Sequence, residues 1–403
     1  MDFEVLICGS DVNAYYMARL THEAYRKKAY VLIKNKLAYT TYSKIINHIY
    51  NDKIWNEDAF IKAVNDLADE LNDKKLVVIS SNETYANFLT KNRDRLRENI
   101  LYNYPSVEII QSLMDKEKFY KTYEKSCLDF PKTTYYNPNS SNDIFVDFQF
   151  PVIVKPANVI IYNKVEFPHK KKVYKVDSMD ELKQILDYIK SSDYDDDLII
   201  QEYIPGDDSY LFDSVVYCDK QSNVSFISLA QIGLQEHSPN MVGNAAVLIN
   251  GFSTFDINRE DIENKIKSFM EKIKYVGFAE FDLKYDYRDG KFKVLEINAR
   301  QGRCSYYVSL CGFNLVKVLV DDLVYDKKIP YTFLDKKIML TFVNRKIIKK
   351  YVKNPKFKSE ALRLYKYSVN PLKYRDDRSI YRKLLYLKRD NNYKKSFSMY
   401  KWD

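Results

Sequence analysis

The chain reads GFAEFDLKYD over residues 277–286 and LEINAR over residues 295–300. Polar and apolar side chains alternate through much of both stretches, which predicts two β-strands. The intervening Arg288-Asp289-Gly290 is typical of a tight turn. The sequence therefore predicts a β-hairpin with acids at fixed positions on one face.

The acids and the amide of this hairpin are predicted to meet. Glu296 and Asn298 are two positions apart, so their side chains project from the same face of the second strand. If the loop has three residues with Gly290 in the left-handed region, Asp282 lies directly opposite Glu296. Two carboxylates and an amide oxygen form a site of the kind that Mg²⁺ uses when it bridges to nucleotide phosphates. Arg300 shares that face and can reach the same centre.

An ordinary amphipathic hairpin with a solvated acidic face is the alternative interpretation. Against it, Val294, Leu295 and Ile297 indicate a buried second strand. An acid without a partner would be costly there. The sequence therefore favours the metal site.

Length and composition limit the class of protein. The chain has 403 residues, of which 46% are hydrophobic and 30% charged, as in a globular protein with two or three domains. The five cysteines are odd in number and lack a C-x-x-C spacing, so we expect neither a disulfide framework nor a zinc site. Neither a signal peptide nor a membrane-spanning run is apparent. We expect a soluble, cytoplasmic protein.

The net charge of +9 is unevenly distributed. From Asp335 to Asp403 there are 21 Lys and Arg against 6 Asp and Glu, so this segment carries +15 and the remainder carries −6. We consider three interpretations of this basic tail: a charge-rich appendage packed on the body, a surface that attracts an anionic substrate, and a weak contact with a membrane surface. No nucleic-acid recognition motif is present, so no nucleic-acid partner is expected.

Strands and helices alternate along the first part of the chain. Residues 3–8 and 76–79 are short apolar runs that end in Gly9-Ser10-Asp11 and Ser80-Ser81-Asn82, and residues 57–71 have helical spacing. Such alternation predicts a parallel α/β sheet with ligands at the carboxyl ends of its strands. Gly9, Ser10, Asp11 and Asn13 are therefore candidate substrate-binding residues, although Gly-Ser is also common in ordinary turns.

Three features then follow in a diagnostic order. Lys155 ends an apolar strand, Glu202-Tyr203-Ile204-Pro205-Gly206-Asp207-Asp208 ends another, and the hairpin comes last. Together they resemble the ATP-grasp superfamily, whose members join a carboxylate to an amine through an acyl phosphate. The resemblance implies an α/β (α+β) fold: a parallel N-terminal domain at 1–110, a two-lobed ATP-grasp domain at 111–330 and a basic extension at 331–403.

Further motifs are similar to those of the D-aspartate ligases of Gram-positive cell-wall synthesis. They are Gly9-Ser10-Asp11-Val12-Asn13-Ala14-Tyr15, Tyr42-Ser43-Lys44-Ile45, Ile204-Pro205-Gly206-Asp207-Asp208-Ser209 and Glu296-Ile297-Asn298-Ala299-Arg300-Gln301-Gly302-Arg303. This resemblance implies ATP and Mg²⁺ as cofactors, an amino acid and a peptidoglycan-precursor peptide as substrates, and the stem lysine as acceptor. An ATP-grasp ligase for another amino acid or acceptor, or a non-catalytic binding protein, is the alternative.

The resemblance also assigns the nucleotide contacts. Lys155 and Lys116 would contact phosphates, and Lys118 is an equal candidate to Lys116. Glu202, Tyr203 and Ile204 would lie along adenine. Asp208 would bind the ribose hydroxyls, a role that Asp207 can exchange with it.

The catalytic roles follow from the same resemblance. Asp282, Glu296 and Asn298 would hold Mg²⁺, while Arg300 and Arg303 would stabilise the acyl phosphate and the tetrahedral intermediate. Arg303 is alternatively a salt-bridging surface residue. The loop at 233–243, with His237 and Asn240, is a candidate lid over the amino-acid pocket.

One feature departs from the ATP-grasp pattern. Most members have a glycine-rich flap over the phosphates, whereas residues 157–171 contain no glycine. We therefore expect lysine side chains, such as Lys170 and Lys171, in place of backbone amides.

Overall fold

The computed structural model describes residues 2–140, 142–238, 241 and 243–400, and its first sheet lies near the N-terminus. Five parallel strands are arranged in the order β3-β2-β1-β4-β5. They are β1 (Phe3–Cys8), β2 (Ala29–Ile33), β3 (Ile46–Tyr50), β4 (Lys75–Ser80) and β5 (Ile100–Leu101). The helices beside them are α1 (Val12–Tyr25), α2 (Ala38–Thr41), α3 (Glu57–Leu71) and α4 (Glu83–Lys91). Because β1 and β4 are neighbours, their carboxyl ends meet, as the sequence predicted.

The second sheet has four antiparallel strands in the order β6-β9-β7-β8. They are β6 (Thr133–Tyr136), β7 (Val152–Pro156), β8 (Tyr174–Val176) and β9 (Leu198–Glu202). The short helix α7 (Val159–Tyr162) follows β7, and α8 (Met179–Lys190) buries an apolar stripe that includes Leu182, Leu186 and Ile189. This sheet positions Lys155 at the end of β7.

Two helices precede this sheet. They are α5 (Val107–Met114) and α6 (Lys116–Tyr123). Asp115 separates them because its side chain accepts a hydrogen bond from the Lys118 amide at 3.0 Å and so starts a new helix. This cap places Lys116 in the first turn of α6.

The third sheet has eight strands. Six follow the order β15-β14-β10-β12-β13-β17, and β11 pairs with β10 and β16. They are β10 (Leu211–Cys218), β11 (Val224–Ser228), β12 (Ala230–Gln235), β13 (Ala245–Asn250), β14 (Gly277–Asp286), β15 (Lys291–Asn298), β16 (Thr332–Leu334) and β17 (Ile338–Thr341). Its helices are α9 (Arg259–Lys272), α10 (Tyr306–Leu310) and α11 (Leu315–Leu323).

The β14–β15 hairpin reaches the predicted pairing by an unexpected route. Asp286 pairs with Lys291, so the turn has four residues rather than three, with Gly290 at φ +70°. This turn alone would displace the pairing by one residue. A bulge after Asp282 corrects the displacement, and Asp282 lies opposite Glu296 as predicted.

The tail continues the third sheet and then folds back on the first domain. After β17 come α12 (Arg345–Tyr351), α13 (Pro355–Leu364) and α14 (Ile380–Met399). Asp377 is buried and accepts hydrogen bonds from Tyr15, Ser43 and the Lys44 amide. The tail therefore packs on the body, which was the first of its three interpretations. The domain limits at 110 and 330 stay a prediction. Strands β16 and β17 lie beyond residue 330 and nevertheless belong to the third sheet.

No helix in the described part of the chain has both the length and the apolar character needed to cross a lipid bilayer.

Candidate active site

The β14–β15 hairpin brings the three predicted metal residues together. Asp282 lies opposite Glu296, and Asn298 Nδ2 is 3.4 Å from Asp282 Oδ2. Glu280, which sequence reasoning missed, lies opposite Asn298, with Oε2 also 3.4 Å from Nδ2. Glu280 was recognisable, because it precedes Asp282 by two positions and therefore shares its face.

A fourth acid extends the group. Asp213 on β10 lies opposite Asp282 and accepts a hydrogen bond of 2.8 Å from the Tyr307 hydroxyl. We refer to Asp213, Glu280, Asp282 and Glu296 as the acid cluster. A close approach of the backbone supports it, since a Cβ added to Gly302 would lie 1.5 Å from Glu280 Oε1. A side chain at this position would therefore displace the Glu280 carboxylate.

Negative charge accumulates in the acid cluster. Burial raises the pKa of Asp282 well above its usual value, and Glu280 and Glu296 raise it further. Burial likewise raises the pKa of Asp213 to about 6, and burial together with Asp213 raises the pKa of Glu280 well above its usual value. A divalent cation would relieve this repulsion, so the residues fit Mg²⁺.

The site is not a metal cage built from protein alone. Among residues 2–400 as described, no three His, Cys, Asp or Glu side chains converge in a way that could hold a metal ion. Asp282 and Glu296 supply only two carboxylates, with the Asn298 amide beside them. Mg²⁺ commonly binds one or two carboxylates and completes its shell with phosphate oxygens and water, so this donor set suits a nucleotide-bound Mg²⁺.

Lysines face the acid cluster from the other side. Lys116 Nζ is 3.7 Å from Glu296 Oε2, and Lys116 is the main cause that lowers the pKa of Glu296. Lys118 instead lies 3.9 Å from Asp115, so Lys116 is the better placed of the two candidates. Lys172, which sequence reasoning missed, also lowers the pKa of Glu296.

Lys155 lies beside Tyr120, with 3.3 Å between Nζ and the hydroxyl oxygen. Burial and, to a smaller extent, the charge of Lys116 lower the pKa of Lys155 to about 7, while Glu296 acts in the opposite direction. Lys155 is therefore a half-buried amine that contacts no carboxylate among the described residues, and its environment would favour the binding of an anion.

The flap lacks glycine and instead contains a short helix and hydrogen bonds made by lysine residues. Residues 159–162 form α7, and the Lys170 ammonium donates to the Val165 carbonyl. The Tyr174 hydroxyl accepts a hydrogen bond from the Lys171 amide. Lys172, directly after the flap, has a charge that acts on the pKa of Glu296, and the expected Lys170 and Lys171 are not among the main causes of that shift.

The strand end after β9 carries the three residues that are predicted to contact adenine, Glu202, Tyr203 and Ile204. The Glu202 amide donates to the Lys132 carbonyl and the Tyr203 amide donates to the Pro151 carbonyl, at 3.0 and 3.2 Å. The backbone amides of Glu202 and Tyr203 are thus engaged in sheet pairing. Ile204 is the first residue beyond the paired segment. Lys284 Nζ lies 5.3 Å from the centre of the Tyr203 ring.

The two ribose candidates both have partners. The Asp208 carboxylate accepts hydrogen bonds of 2.8 Å from the amide and the side chain of Gln235. Asp207 caps the next turn by accepting from the amide and hydroxyl of Ser209. Each carboxylate keeps further acceptor capacity, and the assignment of ribose to Asp208 stays a prediction.

Arg300 connects the acid cluster to the first domain. Its Nη1 is 3.5 Å from Glu280 Oε2, and its Nη2 is 3.4 Å from Asn298 Oδ1. Its Nε lies 2.8 Å from Glu83 Oε1 in the first turn of α4. Glu83 is a further residue that sequence reasoning missed, because only the packing of the domains brings it here.

Arg303 is largely enclosed, with a side-chain exposed fraction of 13%, rather than a solvated surface residue. Its Nη2 lies 2.6 Å from Glu236 Oε1, and its guanidinium carbon lies 4.4 Å from the centre of the Phe342 ring. Its Nε and Nη1 have no hydrogen-bond partner among the described residues. The alternative interpretation was therefore right about a salt bridge and wrong about exposure.

Three of the four predicted substrate residues, Gly9, Ser10 and Asp11, lie at the end of β1. Gly9 has a φ of +133°, and a Cβ there would lie 1.9 Å from Ser81 Oγ, so the two strand ends touch. Ser10 follows directly. Asp11 caps α1. Burial raises the pKa of Asp11 against the opposing effects of the Ala14 amide, Arg300 and Arg303, which places both arginines near it.

Asn13 makes contacts that the sequence did not predict. It is buried, its Nδ2 donates to the Gln301 and Ser81 carbonyls, and its Oδ1 accepts from Gln301 Nε2. Since both N–H groups of its amide already have partners, this arrangement favours a structural role, and a contact with substrate stays a prediction. In the loop at 233–243, His237 Nδ1 lies 2.9 Å from the Tyr400 carbonyl oxygen, and Asn240 lies outside the described residues.

Comparisons with known proteins agree with this geometry. D-aspartate ligase from Enterococcus faecium (strain Aus0004) is 35% identical over 333 residues, which are 81% of this chain and 78% of that protein. L-amino acid ligase from Bacillus licheniformis has a similar fold, with a TM-score of 0.56 and 16% identity over 80% of this chain and 74% of that one. No family model matches the chain.

A second solved structure extends the agreement. N5-carboxyaminoimidazole synthetase from Staphylococcus aureus, complexed with ADP, has a TM-score of 0.59 and 14% identity over 88% of this chain and 87% of that one. These likenesses confirm the predicted α/β fold of the ATP-grasp type. With the sequence identity above, they show that the chain belongs to the D-aspartate ligase family, and is an ATP-grasp ligase that joins a carboxylate to an amine.

Proposed function

We propose that this ligase joins the β-carboxylate of D-aspartate to the side-chain amine of the stem lysine in a peptidoglycan precursor, in the cytoplasm. The name of the E. faecium relative supports the choice of amino acid. The observation that carries the proposal is the place of Arg300, between Glu280 of the acid cluster and Glu83 of the first domain. The Arg300 guanidinium would thus lie between the residues proposed to hold Mg²⁺ and the first domain, where we propose that the amino acid binds.

The chemistry consists of two displacements. First, a β-carboxylate oxygen attacks the γ-phosphorus of ATP, which forms the acyl phosphate and releases ADP. The lysine amine then attacks the acyl carbon, phosphate leaves, and the nitrogen loses a proton to give the amide. Arg300 would donate hydrogen bonds to the acyl phosphate and to the tetrahedral intermediate, since it already contacts Asn298 and Glu280.

The nucleotide would lie between the second and third sheets. Lys155 and Lys116 would contact its phosphates, Glu202, Tyr203 and Ile204 its adenine, and Asp208 its ribose. Asp282, Glu296 and Asn298 would hold Mg²⁺, which when bound neutralises charge on the phosphoryl group that is transferred. The neighbour complexed with ADP supports the use of ATP.

The amino acid would lie at the ends of β1 and β4. Asp11 suits the α-ammonium group, because it is the acid at this strand end. Arg303 has two N–H groups without a partner among the described residues, and its charge acts on Asp11. We therefore assign Arg303 to the α-carboxylate of aspartate, the one that does not react, instead of the predicted contact with the acyl phosphate.

A substrate screen tests this proposal. ADP release is measured with D- and L-amino acids, each with and without a lysine-containing muramyl pentapeptide. We expect turnover with D-aspartate that depends on the acceptor, and the product mass should rise by one aspartyl residue. Turnover with another amino acid and none with D-aspartate would favour the alternative, a ligase for a different substrate.

Nucleotide affinity should weaken as pH rises. Lys155 has a pKa of about 7, so it is charged below pH 7 and loses its charge above it. Phosphate favours the charged form, so the Kd for Mg·ADP should rise by about tenfold per pH unit above roughly pH 7. Calorimetry in buffers of different ionisation enthalpy should show proton uptake on binding.

Lys155→Arg is the control for this pH dependence. An arginine stays charged throughout the range, so the affinity of this variant should be nearly constant with pH. If the wild type shows a flat profile, or if the variant keeps the wild-type slope, Lys155 is not the phosphate contact.

A further inference from the structure

Helix α14 has two different faces. One face carries Arg382, Tyr393 and Phe397, which are buried against the body. The other carries Ile380, Leu384 and Leu387, whose exposed fractions are 71%, 57% and 55%. Because these three are spaced by four and three positions, they form a single stripe along the outer side of the helix. This stripe of large apolar side chains faces solvent.

Neighbouring side chains widen the stripe. Tyr381 is exposed, and its ring stacks on that of Tyr42 with 5.2 Å between centroids. Leu37 is also exposed and lines a groove of about 320 Å³ between residues 37–39 and α14. We define the apolar patch as these side chains together with the stripe: Leu37, Tyr42, Ile380, Tyr381, Leu384 and Leu387. Contiguous exposed apolar patches on globular proteins commonly mark interaction sites.

Positive charge surrounds the apolar patch. Exposed cations occur beside it in the sequence, at Lys36, Lys44, Arg378, Lys383 and Lys388. None of the five forms an ion pair with an acid in the part of the chain that the structure describes. From Arg378 to Arg389 the sequence contains no acid at all. The partner of this surface should therefore be anionic as well as apolar.

The helix is held in place rather than loosely attached. Arg382 Nε is 3.3 Å from Asp377 Oδ2, and its Nη1 donates to the Tyr39 carbonyl at 2.8 Å. Its guanidinium carbon also lies 4.0 Å from the centre of the Tyr15 ring. The outer stripe is thus presented in a fixed orientation, and binding would not require the helix to fold.

We propose that the apolar patch docks this ligase on an anionic lipid surface. Its apolar side chains would enter the boundary between head groups and acyl chains, while the surrounding lysines contact the anionic head groups. A second copy of the chain fits less well. A symmetric dimer through the patch would bring Lys383 and Lys388 of both copies towards each other, and the patch offers no acid to compensate them.

Vesicle sedimentation with the full chain tests the proposal. The wild type should sediment with vesicles of phosphatidylglycerol and phosphatidylcholine, and should not do so with phosphatidylcholine alone. Added salt should weaken binding. The triple variant Ile380→Ser, Leu384→Ser, Leu387→Ser should lower the partition coefficient at least about tenfold, with unchanged Tm and unchanged ADP release on soluble substrates.

A matched control removes the same number of exposed apolar side chains elsewhere. Phe145→Ser, Val173→Ser and Tyr287→Ser leave the patch intact, and this variant should bind vesicles like the wild type. Equal binding by the Ile380–Leu384–Leu387 variant and the wild type would overturn the proposal. The proposal would also be overturned if the wild type bound only to neutral vesicles. It would likewise be overturned if the wild type bound no vesicles and instead formed a dimer that the same triple variant dissociates.

Discussion

Replacing Glu296 by glutamine is expected to lower the rate of ADP formation by about 10³-fold or more, with little change in Tm. The substitution keeps the size of the side chain and removes one of the two carboxylates proposed to hold Mg²⁺, which would forfeit several kcal/mol of transition-state stabilisation. Glu296 is half-exposed, and its ion pair is the 3.7 Å contact with Lys116. The fold therefore depends little on it. Initial rates and thermal unfolding measure the two effects.

Glu124→Gln provides a control of the same chemistry. Glu124 is an exposed acid that directly follows α6 and is not part of the acid cluster. That variant should turn over like the wild type. Normal turnover by Glu296→Gln would remove the proposed metal site, and restored activity at high Mg²⁺ would support it.

Replacing Asp377 by alanine is expected to lower the free energy of unfolding by about 3–5 kcal/mol, because it breaks a buried ion pair on one side. Asp377 accepts hydrogen bonds from Tyr15, Ser43 and the Lys44 amide, and Arg382 Nε lies 3.3 Å away. Without the carboxylate, the Arg382 guanidinium remains buried and uncompensated. Urea unfolding followed by circular dichroism measures the loss.

The adjacent acid is a close control. Asp376 pairs with Arg26 at 2.8 Å, but Arg26 is largely exposed, so Asp376→Ala should destabilise the protein much less than Asp377→Ala does. Adding Arg382→Met to Asp377→Ala should recover part of the lost stability, since it removes the unpaired charge. Equal stability of Asp377→Ala and the wild type would mean that the tail is not anchored by this pair.

The β14–β15 hairpin shows how far the sequence predicts the site. Strand periodicity was enough to place Glu296, Asn298 and Asp282 on one face. The turn length was predicted incorrectly, and the pairing was nevertheless correct because the bulge after Asp282 compensates. A bulge depends on how a strand packs against its neighbours, which local sequence does not determine.

The residues and strands that sequence reasoning missed were missed for different reasons. Glu83 and Glu236 reach Arg300 and Arg303 from distant parts of the chain, through the packing of one element on another. The short strands β16 and β17 were also missed, since three or four residues carry little periodic signal. Glu280 differs from these cases, because the spacing that identified Asp282 also identifies it.

The contact between Asn13 and Gln301 has a consequence for protein engineering. Gln301 Nε2 donates to Asn13 Oδ1 and to the Ser80 carbonyl, and the Tyr16 hydroxyl donates to the Gly302 carbonyl. A chimera that takes residues 1–110 from a ligase with another amino-acid preference would therefore break this junction unless it also takes the donor's residues 298–303. If residues 1–110 bind the amino acid, as we propose, the unit to exchange for altered selectivity is discontinuous in sequence.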